Sequence, residues 1–282
     1  CALPIYKGFY MLQNKLQLRP YQQDAVNVFT FGGLNNGIIV CPTGAGKSII
    51  IAELVNSFTD SNILVLQPSK EILQQNYDKY CLYASDASIY SASLNSKQIN
   101  RVTFATIGSI IKLPDKTLKL FDIIIIDECH LVSLEGQYYD LISIIEPQKL
   151  IGLTATPYRN NFKYSVTYEM LTRKRNPIFK TIGYKYEIAD CIKDGFWSEL
   201  KYFMPIQYDT SKLQVKGSEY SDISIQNYNI EIELHKNIIS IVNGSYKKHF
   251  LVFLTTIQEC IITAELLTEA GISCVAIHSK LH

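Results

Sequence analysis

The sequence predicts an α/β fold built on a mostly parallel sheet, and three observations carry that reading. Apolar runs of strand length recur along the chain, with helix-period segments between them. Several runs are apolar on consecutive positions, as in Ile123-Ile124-Ile125-Ile126, which a strand buried on both faces requires. The first run, Ile38-Ile39-Val40, leads through the glycine-containing turn Pro42-Thr43-Gly44-Ala45-Gly46-Lys47-Ser48 into a helical pattern.

The elements follow in order. Gly37–Cys41 reads as a strand and Lys47–Phe58 as a helix, its apolar residues Ile50, Ile51, Leu54, Val55 and Phe58 falling at helical spacing. Asn62–Leu66 is the next strand, and Ser69–Tyr80 a helix with Ser69 as N-cap. Arg101–Ala105 and Phe121–Ile126 are strands and Tyr138–Ile145 is a helix. Leu150–Leu153 is a strand ending in Thr154-Ala155-Thr156-Pro157. Glu187–Asp194 is a helix stopped by Gly195. Lys201–Tyr208 begins something new: a polar stretch over Ser211–Asn229, a helix near Ile230–Val242, a strand at Phe250–Leu254, a helix at Ile257–Ala270 and a strand at Ser273–Ile277. That is too little to close a second sheet. The predicted domains are therefore 11–198 and an incomplete one over 199–282.

Composition narrows the class. Of 282 residues, 47% are apolar and 19% charged, which suits a large core and excludes a disordered chain. No run approaches the roughly 18 apolar residues of a membrane helix, so no membrane partner is expected. With 27 basic and 26 acidic residues the net charge is +1, so any nucleic-acid surface must be local. The seven cysteines show no C-x-x-C spacing, which predicts no zinc and a reducing, cytoplasmic setting. Cys1–Tyr10 reads as a non-native leader resembling a translated sequencing adaptor, and the stop at Leu281-His282 reads as a truncated reading frame.

Two segments carry chemistry. A strand, a glycine turn and a helix start converge backbone N–H groups and a helix dipole on one concavity suited to phosphates. Gly44 and Gly46 allow the torsions and close approach, Lys47 reaches the β- and γ-phosphates, and Ser48 can ligate Mg²⁺. The strict phosphate-loop pattern fails at its first glycine, where Cys41 stands. Eighty residues after Lys47, the isoleucine run ends in Asp127-Glu128-Cys129-His130. Carboxylates at a strand's carboxyl end lie where open α/β sheets bind ligands. Asp127 is expected to hold Mg²⁺ through water, and Glu128 to orient and deprotonate the attacking water. The pair implies ATP hydrolysis, with ATP and Mg²⁺ as cofactors.

With these residues in view, the chain resembles superfamily 2 helicases of the DECH-box type, in order through nearly its whole length. Leu18-Arg19-Pro20-Tyr21-Gln22-Gln23 looks like the adenine-reading motif, with Gln22 the reader and Arg19 beside it. Pro42–Ser48 resembles motif I, Gln67-Pro68-Ser69-Lys70 motif Ia, Ala105-Thr106-Ile107-Gly108-Ser109 motif Ib, Asp127–His130 motif II and Thr154–Pro157 motif III. Leu254-Thr255-Thr256 resembles motif IV, followed by Ala276-Ile277-His278-Ser279. Within the superfamily the wording is closest to RadD-like bacterial or phage DNA-repair helicases.

The resemblance implies two RecA-like domains, ATP at a cleft between them, and roles residue by residue. Glu128, Lys47 and Asp127 would be catalytic, and Arg19, Gln22, Pro42, Thr43, Gly44, Ala45, Gly46, Lys47 and Ser48 would bind ATP. His130, Thr154 and Thr156 would couple the γ-phosphate to domain movement. Ser69, Lys70, Thr106, Ser109, Thr255 and Thr256 would contact nucleic acid, DNA in preference to RNA. The basic cluster Arg173-Lys174-Arg175, with Lys163, Lys180 and Lys185, reads first as a solvated face. Motifs V and VI, with the family's arginine fingers, would lie beyond His282, so weak turnover is expected of residues 11–282 alone. A nucleic-acid sensor that uses ATP as a switch, an RNA helicase and a restriction-enzyme motor remain open.

Overall fold

The computed structural model describes residues 17–161, 167–173, 175–199, 201, 208–216 and 219–280. Residues 1–10, read above as a leader, with Met11, Lys163, Lys174, most of the stretch 201–208 and Leu281-His282, lie outside the described residues. The chain divides into two compact units, one holding 1–161 and 166–199, the other 162–165 and 200–282. None of the described helices is long and apolar enough to cross a membrane.

The first unit is an α/β sandwich around an eight-stranded sheet. In chain order its strands are β1 (Asn36–Val40), β2 (Ile63–Gln67), β3 (Ala87–Ser91), β4 (Ser96–Lys97), β5 (Val102–Thr106), β6 (Ile123–Ile126) and β7 (Lys149–Thr154). The hairpin β8 (Tyr158–Asn161) and β9 (Thr167–Met170) precedes β10 (Ile182–Lys185). The spatial order is β10-β1-β7-β6-β2-β5-β3-β4, and only the β3–β4 pairing is antiparallel. Successive residues on a strand feed opposite layers. Ile39, Ile63, Val65, Ile123 and Ile125 pack with helices α1 (Pro20–Thr30), α2 (Lys47–Ser57) and α3 (Lys70–Tyr80). Ile38, Val40, Leu64, Leu66, Ile124 and Ile126 pack with α4 (Ile107–Ile110), α5 (Asp115–Leu118) and α6 (Gln137–Ile145). The predicted α/β class, with strands buried on both faces, is the class observed.

The differences have local causes. Leu18–Gln23, read as a motif, enters a helix that runs to Thr30, with Pro20 at its first position. The strands β3 and β10 escape prediction because they are edge or near-edge strands with half-exposed positions and no continuous apolar run. Helix α7 (Ile188–Lys193) ends, as expected, just before Gly195, which has φ +74°.

Arg101, at the start of β5, closes a polar cluster at the sheet's amino edge. Its guanidinium donates to Asp86, to the Tyr80 hydroxyl at 3.1 Å and to the carbonyls of Phe58 and Ser61 at 2.9 and 3.2 Å. Burial pushes the Asp86 carboxyl up, but hydrogen bonds from Tyr80 and Arg101, with the arginine's charge, outweigh it and hold Asp86 below its ordinary 3.8. A depressed carboxyl contributes stability above its unfolded value and loses it as pH falls through the folded one. The melting-temperature gap between wild type and Asp86→Asn should be steady from about pH 5 to 7 and close in more acid solution. A gap that widens on acidification would contradict this.

The second unit contains a short hairpin, β11 (Val215–Lys216) with β12 (Glu219–Tyr220), and three helices. Helix α8 (Asp222–Glu231) begins within the polar stretch Ser211–Asn229, for which the sequence predicts no element. The helix expected near Ile230–Val242 is in fact the end of α8 and a separate α9 (Leu234–Gly244), broken where Glu233 takes φ +50°. Helix α10 (Ile257–Glu269) packs Leu267 inward, and its Glu259 accepts from Asn229 Nδ2 at 2.8 Å. The expected strands Phe250–Leu254 and Ser273–Ile277 carry no ladder among the described residues. Leu251, Phe253, Val275 and Ile277 are largely exposed.

Candidate active site

Because β1, β7, β6, β2 and β5 run parallel, their carboxyl ends share one edge of the sheet. The segments that leave that edge are those singled out in the sequence. After β1 the chain passes through Pro42–Gly46, where Gly44 and Gly46 adopt φ +84° and +82°, into α2. Cys41 lies outside the left-handed region and donates its N–H to the Thr154 carbonyl at 3.0 Å, so no glycine is needed there. Burial pushes its thiol up to about 12. Alkylation of the native protein should therefore reach exposed Cys274 early and Cys41, Cys129 and Cys191 only on unfolding. Peptide mass mapping after brief iodoacetamide treatment reads this directly, and early labelling of Cys41 would contradict it.

The turn is held from behind. The Tyr21 hydroxyl and Gln22 Nε2 both donate to the Ala45 carbonyl, at 2.7 and 2.9 Å. Gln22 Oε1 accepts from the Arg19 N–H at 2.9 Å, so the carboxamide expected to read adenine is engaged at both ends and only 2% exposed. A Cβ on Gly46 would come within 2.5 Å of Gln22 Nε2. Tyr21 stacks on Tyr186 at 3.9 Å, and the Arg19 guanidinium sits 4.2 Å above the Phe196 ring. Trp197 packs against Gly44 rather than standing free. Tyr186 and Phe196 were not legible as site residues, because only the fold brings them to α1.

After β6 the backbone turns sharply. Glu128 takes φ +48°, a conformation costing about 1–3 kcal/mol outside glycine. The turn sets Glu128 Oε1 3.1 Å from Lys47 Nζ, joining the two predicted segments in one site. Asp127 is 5% exposed; its Oδ2 accepts from Asn76 Nδ2 at 3.1 Å and its Oδ1 from the Glu128 N–H at 3.0 Å. Burial pushes the Asp127 carboxyl up, and the Glu128 charge adds to this, against Lys47 and the Asn76 hydrogen bond. Two carboxylates beside one ammonium leave the pocket one cation short. Together with the Ser48 hydroxyl at the start of α2, this hard-oxygen donor set fits Mg²⁺.

The third expected element is also in reach. His130 Nδ1 lies 2.9 Å from Thr154 Oγ1 and 3.3 Å from Glu128 Oε2. Thr154 Oγ1 donates its proton to the Thr156 carbonyl at 3.2 Å and accepts from the Thr156 N–H at 3.1 Å. The acceptor-only Glu128 Oε2 beside the same nitrogen suits a hydrogen on His130 Nδ1, with Thr154 Oγ1 then accepting. Arg159, not predicted, donates through Nε to the His130 carbonyl.

The nucleic-acid candidates divide by unit. Ser69 caps α3, accepting from the Ile72 N–H at 3.3 Å, and Lys70 is exposed beside it. Thr106, paired with Gln67 across β2 and β5, donates to Ser109 Oγ at 3.0 Å. These four hydroxyls and cations share the carboxyl edge with the phosphate turn. Thr255 and Thr256 belong to the second unit, where Thr256 caps α10 by accepting from the Glu259 N–H at 3.2 Å. Of the basic cluster, Lys185 is paired with Glu187 at 2.8 Å.

A mostly parallel sheet with a phosphate turn after one strand and paired carboxylates after a near neighbour defines the class: a P-loop α/β protein. Within it, the chain belongs to the family described as Type III restriction enzyme, res subunit, which matches residues 15–159, just over half of the 282. It is 28% identical over 159 residues to the DNA 3'-5' translocase XPB2 of Sulfurisphaera tokodaii, covering 56% of this chain and 35% of that protein. It is 24% identical over 251 residues to a 51.5 kDa protein of a Lactococcus phage, covering 86% and 49% respectively. Among solved structures, the UvsW helicase from bacteriophage T4 matches with 26% identity and a TM-score of 0.43, over 50% of this chain and 54% of that one. The chain thus spans about a fifth to a half of the length of the curated relatives it matches.

Proposed function

We propose that this chain carries the ATP-hydrolysing part of a DNA helicase or translocase, of the DECH-box type and closest to RadD-like enzymes. The observation that supports it most is the 3.1 Å pairing of Lys47 with Glu128, beside buried Asp127. A triphosphate in the turn would draw Lys47 away from Glu128, freeing the carboxylate to orient a water. Ser48 and Asp127 would hold Mg²⁺, which would screen phosphate charge. Arg19 would face adenine, and Gln22, buried and bonded to the Ala45 carbonyl and the Arg19 N–H, would have to give up one of those contacts to read the base. The His130–Thr154–Thr156 chain would report the γ-phosphate, and Ser69, Lys70, Thr106 and Ser109 would contact the sugar-phosphate backbone. Residues 199–282, with Thr255 and Thr256, would begin a second RecA-like domain. DNA is favoured over RNA because the relatives are named for DNA.

ATP hydrolysis measured with double-stranded DNA, single-stranded DNA or RNA tests the reading. DNA should stimulate turnover most, Lys47→Ala should lose nucleotide binding, and Lys70→Ala should lower the salt dependence of DNA binding by about one unit. Greater stimulation by RNA would move the assignment to an RNA helicase. Nucleotide binding indifferent to Lys47→Ala would remove the ATP site itself.

A further inference from the structure

The α3 helix contributes one buried polar side chain to the active site that the motifs do not contain. Asn76 is 1% exposed, on the inner face of α3, and its Nδ2 donates to Asp127 Oδ2 at 3.1 Å. The other Asp127 oxygen is held by the Glu128 backbone N–H at 3.0 Å. One donor on each oxygen fixes the plane of the carboxylate, where a single donor would leave it free to turn. Each oxygen keeps lone-pair capacity for a cation or its waters.

The surroundings argue that this is not a device for stability. Asn76 Oδ1 has no hydrogen-bond partner among the described residues, nor has either amide atom of Gln67, which is fully buried. Gln67 continues the β2 alternation of Ile63 and Val65, which face the α1–α3 layer, and is paired with Thr106 of β5 at the carboxyl end of the strand. A buried polar group without a partner costs about 1–3 kcal/mol. An apolar side chain of the same size would pack this layer at lower cost, so asparagine at 76 is explained by what it does to Asp127.

We propose that Asn76 is a positioning residue that sets the Asp127 carboxylate for the metal, making α3, whose first residue is Lys70, a structural support of the metal site. This rests on the reading of Asp127 as the Mg²⁺ residue. Groups that orient a metal-binding side chain typically account for about 10–100-fold in metal affinity.

The experiment is titration of the protein with a fluorescent ATP analogue, with EDTA and at graded Mg²⁺ concentrations, alongside thermal unfolding. Asn76→Leu should fold with a melting temperature near wild type, the relief of the unpartnered Asn76 Oδ1 offsetting the donor lost to Asp127 Oδ2, and bind the analogue in EDTA as wild type does. It should need about 10–100-fold more Mg²⁺ for the metal-dependent gain in binding. Asn76→Gln, which keeps the donor, should recover part of that loss. If N76L lacks a cooperative transition, the same comparison is read on N76A. A folded variant without the donor but with the wild-type Mg²⁺ dependence overturns the proposal. If wild type itself binds no nucleotide, or binds it with no Mg²⁺ dependence, the ATP-site reading has failed instead, and the two failures are told apart in one data set.

Discussion

Glu128→Gln should bind Mg²⁺-ATP at least as tightly as wild type and hydrolyse it about 10²–10⁴-fold more slowly. The size follows from the loss of a positioned base, since the amide can still accept a hydrogen bond from water but cannot take its proton. The direction for binding follows from the geometry. Glu128 Oε1 lies 3.1 Å from Lys47 Nζ, with the lysine side chain only 10% exposed. The carboxylate therefore competes with the phosphates for the ammonium, and the neutral amide competes less. Single-turnover hydrolysis and equilibrium nucleotide binding, measured on the same preparation, separate the two effects. Turnover close to wild type would remove Glu128 from the base role. Weakened binding with intact turnover would make the Lys47 pairing a structural contact. His130 moderates the expectation in one respect: its Nδ1–H is 3.3 Å from Glu128 Oε2 and can equally approach an amide oxygen. The substitution should therefore leave the turn after β6 in place.

The site was legible in the sequence where residue type dictates backbone. Gly44 and Gly46 occupy left-handed torsions that other residues resist, and the isoleucine run before Asp127 could only be a strand buried on both sides. Ser69 was legible as a cap for the same local reason. What stayed hidden depends on contacts between distant segments. Tyr21 gains its partner Tyr186 only when β10 adds beside β1, and Asn76 meets Asp127 only because α3, packed on β2 and β5, reaches the end of β6. Glu128 is hidden in another way: nothing in its type announces φ +48°, which the surrounding turn imposes. In the second unit, Phe250–Leu254 and Ser273–Ile277 have the apolar wording of strands, but a strand is completed by its neighbours, and no pairing is made among the described residues.

Gly152→Ala should be a strongly damaging small substitution in the first unit. Gly152 lies mid-way along β7, paired with Ile38 of β1 on one side and Ile126 of β6 on the other. A Cβ there would sit 2.7 Å from Cys129 Sγ, 2.9 Å from Cys129 Cβ and 2.8 Å from Phe179 Cε1. Neither neighbour can yield freely, since Cys129 is fully buried and Phe179 is 1% exposed. Overpacking of this kind costs about 1–3 kcal/mol, against about 0.5–1 kcal/mol recovered by removing a glycine from a strand interior. Each net kcal/mol lowers the melting temperature by about 2–4 °C in a unit of this size. The larger effect should be on turnover, because Cys129 stands between Glu128 and His130. Displacing it shifts both side chains, and a misplacement of about 1 Å can cost 10²-fold. Adding Cys129→Ala removes the sulfur contact and should restore part of the activity; the Cβ contact at 2.9 Å remains. Rescue of activity by that second substitution is what separates a displaced active-site turn from general loss of stability. A Gly152→Ala protein as stable and as active as wild type would mean that β7 and the turn after β6 are not packed together as described.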